Sequence, residues 1–393
     1  MKYKTRAITA AIIVATAPRL LLAADAPAAA PAVPGLSDLL SAWGLTVSGE
    51  AAASYYHSNG YPDDGASTVG SSGLHGFDSH HDSFSLDEAG LQVGYQPKTG
   101  VGGYVDVIAG EDAKGISYWE KADGTSDAID VRQAYLQYAT GPFTIIAGKY
   151  VTAAGAEVIN PALNTNFSRS LLFWNLEPLD HTGVRVTYAA TDTINIFAGA
   201  NNGWNYTSLS GEGFKTGELG ATWAPNKTFS FATTGYFGKD SSVDQQDLSL
   251  VDFVGTYNVT SALTLILNAD FKQISGNGAS GADTTKHISG YAAYANYAIS
   301  DKWRVSVRGE YLSDSDGFVT GQPQHVWEGT ITAGYSPVTN FELRAELRYD
   351  TAKGLDTSDD TFVRTSTGET AGSNTEFAIQ GVYKFSLPPA AAN

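Results

Sequence analysis

The stretch Phe341–Asp350, FELRAELRYD, alternates without a break between apolar residues (Phe341, Leu343, Ala345, Leu347, Tyr349) and polar or charged ones (Glu342, Arg344, Glu346, Arg348, Asp350). Successive side chains on a strand point to opposite faces, so one face here is wholly apolar and the other carries ions. A soluble sandwich would bury the apolar face and wet the charged one. A membrane barrel would turn the apolar face to lipid and the charged face to a wet lumen. The recurrence of the pattern along the chain selects between them.

Outward from this stretch, Leu263, Leu265, Leu267, Ala269 and Phe271 oppose Thr264, Asn268, Asp270 and Lys272. Trp303, Val305, Val307, Gly309 and Tyr311 oppose Arg304, Ser306, Arg308 and Glu310, and Phe377, Ile379, Gly381, Tyr383 and Phe385 form a final face. Aromatics recur at the ends of these sets, as interfacial girdles require. Short links rich in Gly, Pro, Asn, Asp or Ser, such as Pro97–Gly100, alternate with long polar ones centred on 58–82, 113–127, 153–180, 205–212, 239–247, 275–286, 313–324 and 353–374. This rhythm predicts an all-β fold: a transmembrane antiparallel up-and-down β-barrel of about 16 strands, with short periplasmic turns and long outer loops. Parity slips within 83–96 and 143–150, where a bulge is expected.

Composition narrows the function. The chain of 393 residues has no cysteine, which removes disulfides, thiolate catalysis and cysteine-ligated metals. A net charge of −17 argues against nucleic acid as a partner. Lys2, Lys4 and Arg6 followed by the apolar run Ala7–Ala17 read as a signal peptide over residues 1–24, with an Ala/Pro-rich linker over 25–43, the barrel over 44–385 and a C-terminal extension over 386–393. No run of 18 apolar residues follows, so an exported chain of this kind enters a membrane as a barrel. The expected location is the outer membrane of a Gram-negative bacterium.

Within 148–185 the chain shows Gly148-Lys149-Tyr150, Gly155-Ala156-Glu157-Val158, Asn164-Thr165-Asn166, Ser168-Arg169-Ser170 with Leu172-Phe173, and Pro178 before His181-Thr182-Gly183, and further on Asn201-Asn202-Gly203-Trp204. This pattern resembles the OmpL-like, second β-barrel porin family of bacterial outer membranes. The resemblance implies an outer-membrane porin. Barrels of this kind usually end on a terminal Phe, whereas here Phe385 is followed by Ser386–Asn393.

The third long link contains Phe167, Leu171, Leu172, Phe173, Trp174 and Leu176, too apolar to extend into water. It is expected to fold into the barrel and narrow it. Lys149, Glu157, Asn160, Asn164, Asn166, Ser168, Arg169, Glu177, Asp180 and Arg185 are the candidate constriction, with acids facing bases across the pore. The alternative is a cap over the mouth or a subunit contact. Asp270, Lys272, Arg304, Arg308, Glu310, Glu342, Arg344, Glu346, Arg348 and Asp350 are candidate lumen lining, because each charge on the lipid face would cost about 2–4 kcal/mol at the midplane. They serve either as a ladder for solute or as cross-strand ion pairs that stiffen the wall.

No cofactor or metal is expected. Asp78, His80, His81 and Asp82 have metal-ligand chemistry but lie in a polar loop, and Asp314-x-Asp316-Gly317 is only a fragment of a calcium loop. Asp63, Asp64, Asp356, Asp359 and Asp360 make the loops acidic, a solvated rim or a site of bridging to lipopolysaccharide. Ser168, Ser170, Asp180 and His181 are the only serine–histidine grouping, in no nucleophile motif, so an enzyme is not expected. The reading is a passive diffusion porin whose partners are outer-membrane lipid, lipopolysaccharide and small hydrophilic solutes or ions. The alternative is a non-conducting adhesin or structural barrel. Monomer and homotrimer both remain open.

Overall fold

A computed structural model describes residues 35–59, 75–78, 82–120, 125–205, 215–240, 246–277, 283–318, 323–355, 362–363 and 370–388. In chain order the strands are β1 (Leu45–Ser58), β2 (Ser83–Tyr95), β3 (Gly100–Ala109), β4 (Ile129–Thr140), β5 (Phe143–Val151), β6 (Asp180–Ala189), β7 (Ile194–Asn201) and β8 (Thr216–Trp223). They continue as β9 (Phe229–Asp240), β10 (Gln246–Asn258), β11 (Leu263–Asn277), β12 (Asp283–Ala298), β13 (Trp303–Asp314), β14 (Gln324–Val338) and β15 (Phe341–Gly354). A separate two-residue hairpin, β16 (Phe362–Val363) with β17 (Thr370–Ala371), precedes β18 (Ser373–Leu387). Strands β1–β15 and β18 form one closed antiparallel barrel of sixteen strands, sealed where β1 pairs with β18. Closure satisfies every wall strand's backbone and leaves no open edge for lipid.

The alternation read from the sequence becomes an inside and an outside. Along β15, Leu343, Leu347 and Tyr349 are exposed on the outer face while Arg344, Glu346, Arg348 and Asp350 are buried within. The neighbouring wall keeps this register: Leu347 pairs with Ile331 and Phe377, and Arg348 pairs with Thr330 and Glu376. Outer aromatics meet in pairs, with Trp303 against Tyr335 at 4.5 Å near the short-turn rim and Tyr311 against Trp327 at 4.5 Å towards the other. Links β2–β3, β4–β5, β6–β7, β8–β9, β10–β11, β12–β13 and β14–β15 span two to five residues on one rim. The opposite rim carries the long links, the largest over 59–82, 110–128, 152–179 and 355–372, although β9–β10 and β11–β12 are joined by only five residues each.

One expectation about strand register is met and three others change. Register shifts between Ala52 and Ala53, leaving Asp87 as the extra residue of β2, which places the slip in 83–96 at a bulge. β5 pairs with both neighbours without a shift, so 143–150 has no such bulge; the second one lies in β4, at Arg132. The parity slip of β5 comes instead from Gly148, at φ +138, after which Lys149 and Tyr150 are both buried. At the N-terminal side the expected linker contains a helix, α1 (Leu36–Trp43), because Leu36, Leu39, Leu40 and Trp43 recur at helical spacing and Gly44 ends the helix in the left-handed region at φ +69. The last strand runs through Leu387, paired with Val47, two residues beyond the expected barrel boundary.

Candidate pore constriction

The link over 152–179 folds into the barrel and crosses to the wall formed by β10–β15 and β18. Its helix α3 (Leu171–Asn175) is capped at the N-terminus by Ser170, whose Oγ accepts from Phe173 N at 2.9 Å. Leu171, Leu172 and Leu176 are fully buried against Leu248, Ile274, Ile288, Leu312 and Val326, the inward residues nearest the long-link rim. Burial of each leucine stabilises docking by about 1.5–3 kcal/mol. Gly290 permits the approach, since a Cβ there would lie 2.7 Å from Leu172 Cδ1 and 2.8 Å from Leu176 Cδ1. On the other side, Phe173 packs with Ile108, Ile159, Leu179 and with Ala113 and Ile116 of α2 (Glu111–Glu120). Towards the long-link rim the barrel interior is therefore an apolar core, which an alternation of faces within single strands does not foretell.

Below that core, charged wall residues bind the loop's backbone. Glu346 accepts from Phe167 N at 2.6 Å and Ser168 N at 2.9 Å, and also from Thr332 Oγ1 at 2.6 Å. Glu310 accepts from Leu171 N at 2.6 Å. Arg308 donates to Ser168 O, Ser168 Oγ and Glu157, each within 2.9 Å, and lies 3.3 Å from Glu328. Arg344 donates to Pro161 O at 3.0 Å, and Arg348 donates to Arg169 O at 2.7 Å and pairs with Asp350 at 2.9 Å. Lys272 donates to Asn175 O at 3.2 Å with its ammonium over the Trp204 ring. A loop crossing an apolar interior would strand these amides and carbonyls, and the ions of the wall satisfy them.

The candidate constriction residues separate into groups. Glu157 accepts from Ser170 N at 2.6 Å and joins the Arg308 cluster. Asn160 and Asn164 build the turn at the loop's tip, Asn160 accepting from Ala162 N and Asn164 bridging Val158 N and O. Asn166 donates to Thr332 Oγ1 at 2.7 Å. Arg169 points into its own loop and donates to the carbonyls of Phe167, Val158 and Ile159. Lys149 and Asp180 lie at the ends of β5 and β6, with Asp130 and Asp180 at 3.1 and 3.6 Å from the ammonium and Glu120 also paired to it. Glu177 meets Asp252 and Asp270 at the opposite wall. Arg185 makes a two-bond pair with Glu218 at 2.8 and 3.0 Å and stacks on Tyr150.

Towards the short-turn rim the interior is polar and open. Leu163, at the loop's tip, is 71% exposed. It borders a cavity of about 230 Å³ lined by Asn164, Arg304, Glu342, Arg344 and Lys384. Arg304 and Glu342 are doubly hydrogen-bonded at 2.8 and 2.6 Å and stay partly exposed there, unlike Arg308, Arg348 and Asp350.

Several clusters escaped the sequence reading. Arg132 binds Glu50, Glu88 and Asp106 at 2.7 to 3.0 Å on the β1–β4 wall, hidden because both bulges shift the alternation there. Asp112 of α2 is buried 3.9 Å from Arg169; burial first and then Glu88 push its carboxyl well above the usual carboxylate range. Asp78 is buried beside His75 and Glu376, whereas Asp82 is exposed and bonded to His57, and His80 and His81 lie outside the described residues. Asp63, Asp64, Asp356, Asp359 and Asp360 lie outside them as well. Asp314 accepts from Phe318 N and Asp316 from His287 N, so this fragment forms a turn. Ser168 is held by Arg308, Ser170 caps α3 and His181 contacts Gly203 O; among the described residues no hydrogen bond joins either serine to the imidazole.

Over residues 44–385 the sequence matches the family described as "Putative beta-barrel porin-2, OmpL-like". The chain belongs to this family. No curated protein is similar enough in sequence to count as a match. Among solved structures, the chain is similar to the outer membrane channel DcaP of Acinetobacter baumannii, at 14% identity and TM-score 0.60, covering 87% of this chain and 97% of that one. An anion-selective porin from Comamonas acidovorans gives 11% identity and TM-score 0.56 over 87% and 99% of the two chains. OprB of Pseudomonas putida gives 12% and 0.55 over 88% and 96%. At these identities the likeness is one of fold, and with the family it makes this chain a porin-like barrel of the outer membrane.

Proposed function

We propose that this porin-family barrel forms a water-filled path for passive diffusion of small hydrophilic solutes or ions, constricted where the inward loop crosses the lumen. The observation that carries the reading is that loop, fastened to the wall by Glu346, Glu310, Arg308, Arg344 and Arg348 beside an open polar space at Leu163. Fixed charge and residual width then set what passes, with no cofactor and no conformational cycle. Arg304, Glu342 and Lys384 supply charge in the region nearest the short turns, which would face the periplasm, and Arg185 with Glu218 supplies it deeper in the lumen. Arg169 acts as a staple for the loop's shape rather than as a charge offered to solute. Residues 1–24 serve as the export signal in this reading, and lipid and lipopolysaccharide surround the outer face. A solved Vibrio cholerae relative, OmpT, occurs in a trimer form, so a homotrimer is the assembly we propose.

The apolar fill around α3 and α2 specifically favours a second reading, a non-conducting structural barrel. Planar-bilayer recording on purified, heat-modifiable protein separates the two. Stepwise conductance is the expected result; its absence from folded protein would establish the second reading.

A further inference from the structure

Glu177 ends the inward loop, Asp252 lies on β10 and Asp270 on β11, and one oxygen from each lies within 4.8 Å of the other two. Glu177 is 4% exposed, and Asp252 and Asp270 are wholly buried. Both oxygens of Glu177, Oδ2 of Asp252 and Oδ2 of Asp270 have no hydrogen-bond partner among the described residues. The surroundings fix them in place. Asn268 donates to Asp252 Oδ1 at 2.7 Å and to Asp270 Oδ1 at 3.4 Å, while its Oδ1 accepts from Ala156 N at 2.9 Å. Gly155 passes beneath the cluster at φ +88, where a Cβ would lie 1.9 Å from Glu177 Oε2. Lys272, two residues along from Asp270 on the same face, is engaged with Asn175 O and the Trp204 ring.

Three carboxylates brought out of water with four oxygens unpaired are strongly unfavourable as ions unless a positive charge lies among them. We propose that Glu177, Asp252 and Asp270 hold a divalent cation, calcium, that fastens the end of the inward loop to the β10–β11 wall. All the ligands are hard oxygens, with no imidazole or thiolate to attract zinc. Calcium bonds of about 2.3–2.6 Å accommodate oxygens on opposite sides of the ion up to about 5 Å apart, whereas magnesium at about 2.0–2.1 Å requires a tighter shell. The cation joins two elements far apart in sequence, and Gly155 and Asn268 hold the loop and the wall in the geometry that leaves the oxygens free.

The test uses the full folded barrel in detergent, stripped with a chelator, desalted and titrated with Ca²⁺ by isothermal calorimetry. One tight site per chain is expected, at least tenfold weaker in Glu177→Gln and in Asp270→Asn, with Mg²⁺ binding more weakly than Ca²⁺. Ca²⁺ should also raise the melting temperature of the parent protein and not that of either variant. Weak binding by acidic surface residues persists in all three proteins. Heat-modifiable mobility reports assembly of each barrel. Should Asp270→Asn fail to assemble, Glu177→Gln decides the matter, because its side chain belongs to the loop and not to the wall. A parent protein with no tight site, or variants that bind and respond like the parent, would overturn the proposal. The measurement requires no conductance, so it stands or falls separately from the diffusion reading.

Discussion

Glu346→Ala removes the side chain that receives two successive amides of the inward loop. In the native barrel, Phe167 N and Ser168 N donate to its carboxylate at 2.6 and 2.9 Å, and Thr332 Oγ1 adds a third bond. Hydrogen bonds to a charged group contribute about 1.5–3 kcal/mol each. The two loop bonds together are thus worth about 3 kcal/mol at the low end, since the freed amides can bind lumen water. At about 1.4 kcal/mol per tenfold, that raises the undocked population roughly a hundredfold. The effect stays local, because Leu171, Leu172 and Leu176 keep α3 in its apolar seat. The chain has no cysteine, so Ser168→Cys introduces the sole thiol, at a position only 3% exposed. Reaction of that thiol with a small methanethiosulfonate reagent tracks the open population when closure is fast. Labelling about a hundredfold faster in Ser168→Cys/Glu346→Ala than in Ser168→Cys alone is expected, with the barrel still heat-modifiable. Equal rates in the two folded proteins would refute the reasoning that Glu346 holds the loop.

Arg185→Gln leaves Glu218 without its partner at 2.8 Å and shifts the lumen by one negative charge; reversal potential under a salt gradient should move towards cation preference. Arg132→Met strands Glu50, Glu88 and Asp106, and urea unfolding in lipid vesicles at neutral pH should show a loss of about 3–5 kcal/mol. Asp112 holds its proton more tightly when folded than when unfolded, so the protein loses stability as pH rises from the unfolded value through the raised folded one. Asp112→Asn, which cannot ionise, should therefore have a higher urea midpoint than the parent at pH 8 and no advantage at pH 4.

The sequence alone determined the barrel. Period-two alternation is a local property of each strand, and FELRAELRYD states both faces of β15 without help from any neighbour. Turn residues are equally local, which is why the short β2–β3 link falls at the expected Pro97–Gly100. The bulges at Asp87 and Arg132 were less legible, because an extra residue shows only when a strand is laid against its partner. The inward course of the apolar third loop could be inferred from the cost of exposing Leu171, Leu172 and Leu176. Its destination could not.

Only the tertiary structure decided that the charged face of β15 serves the loop, with Arg344, Glu346 and Arg348 bonded to the loop and Glu342 left beside open space with Arg304 of β13. It alone brought Asp252 to Glu177 and Asp270, and Glu50, Glu88 and Asp106 around Arg132. The physical reason is that a face is set by one residue's position within its own strand. Which ion meets which carbonyl depends instead on how sixteen strands close and where a loop of more than two dozen residues comes to rest within them.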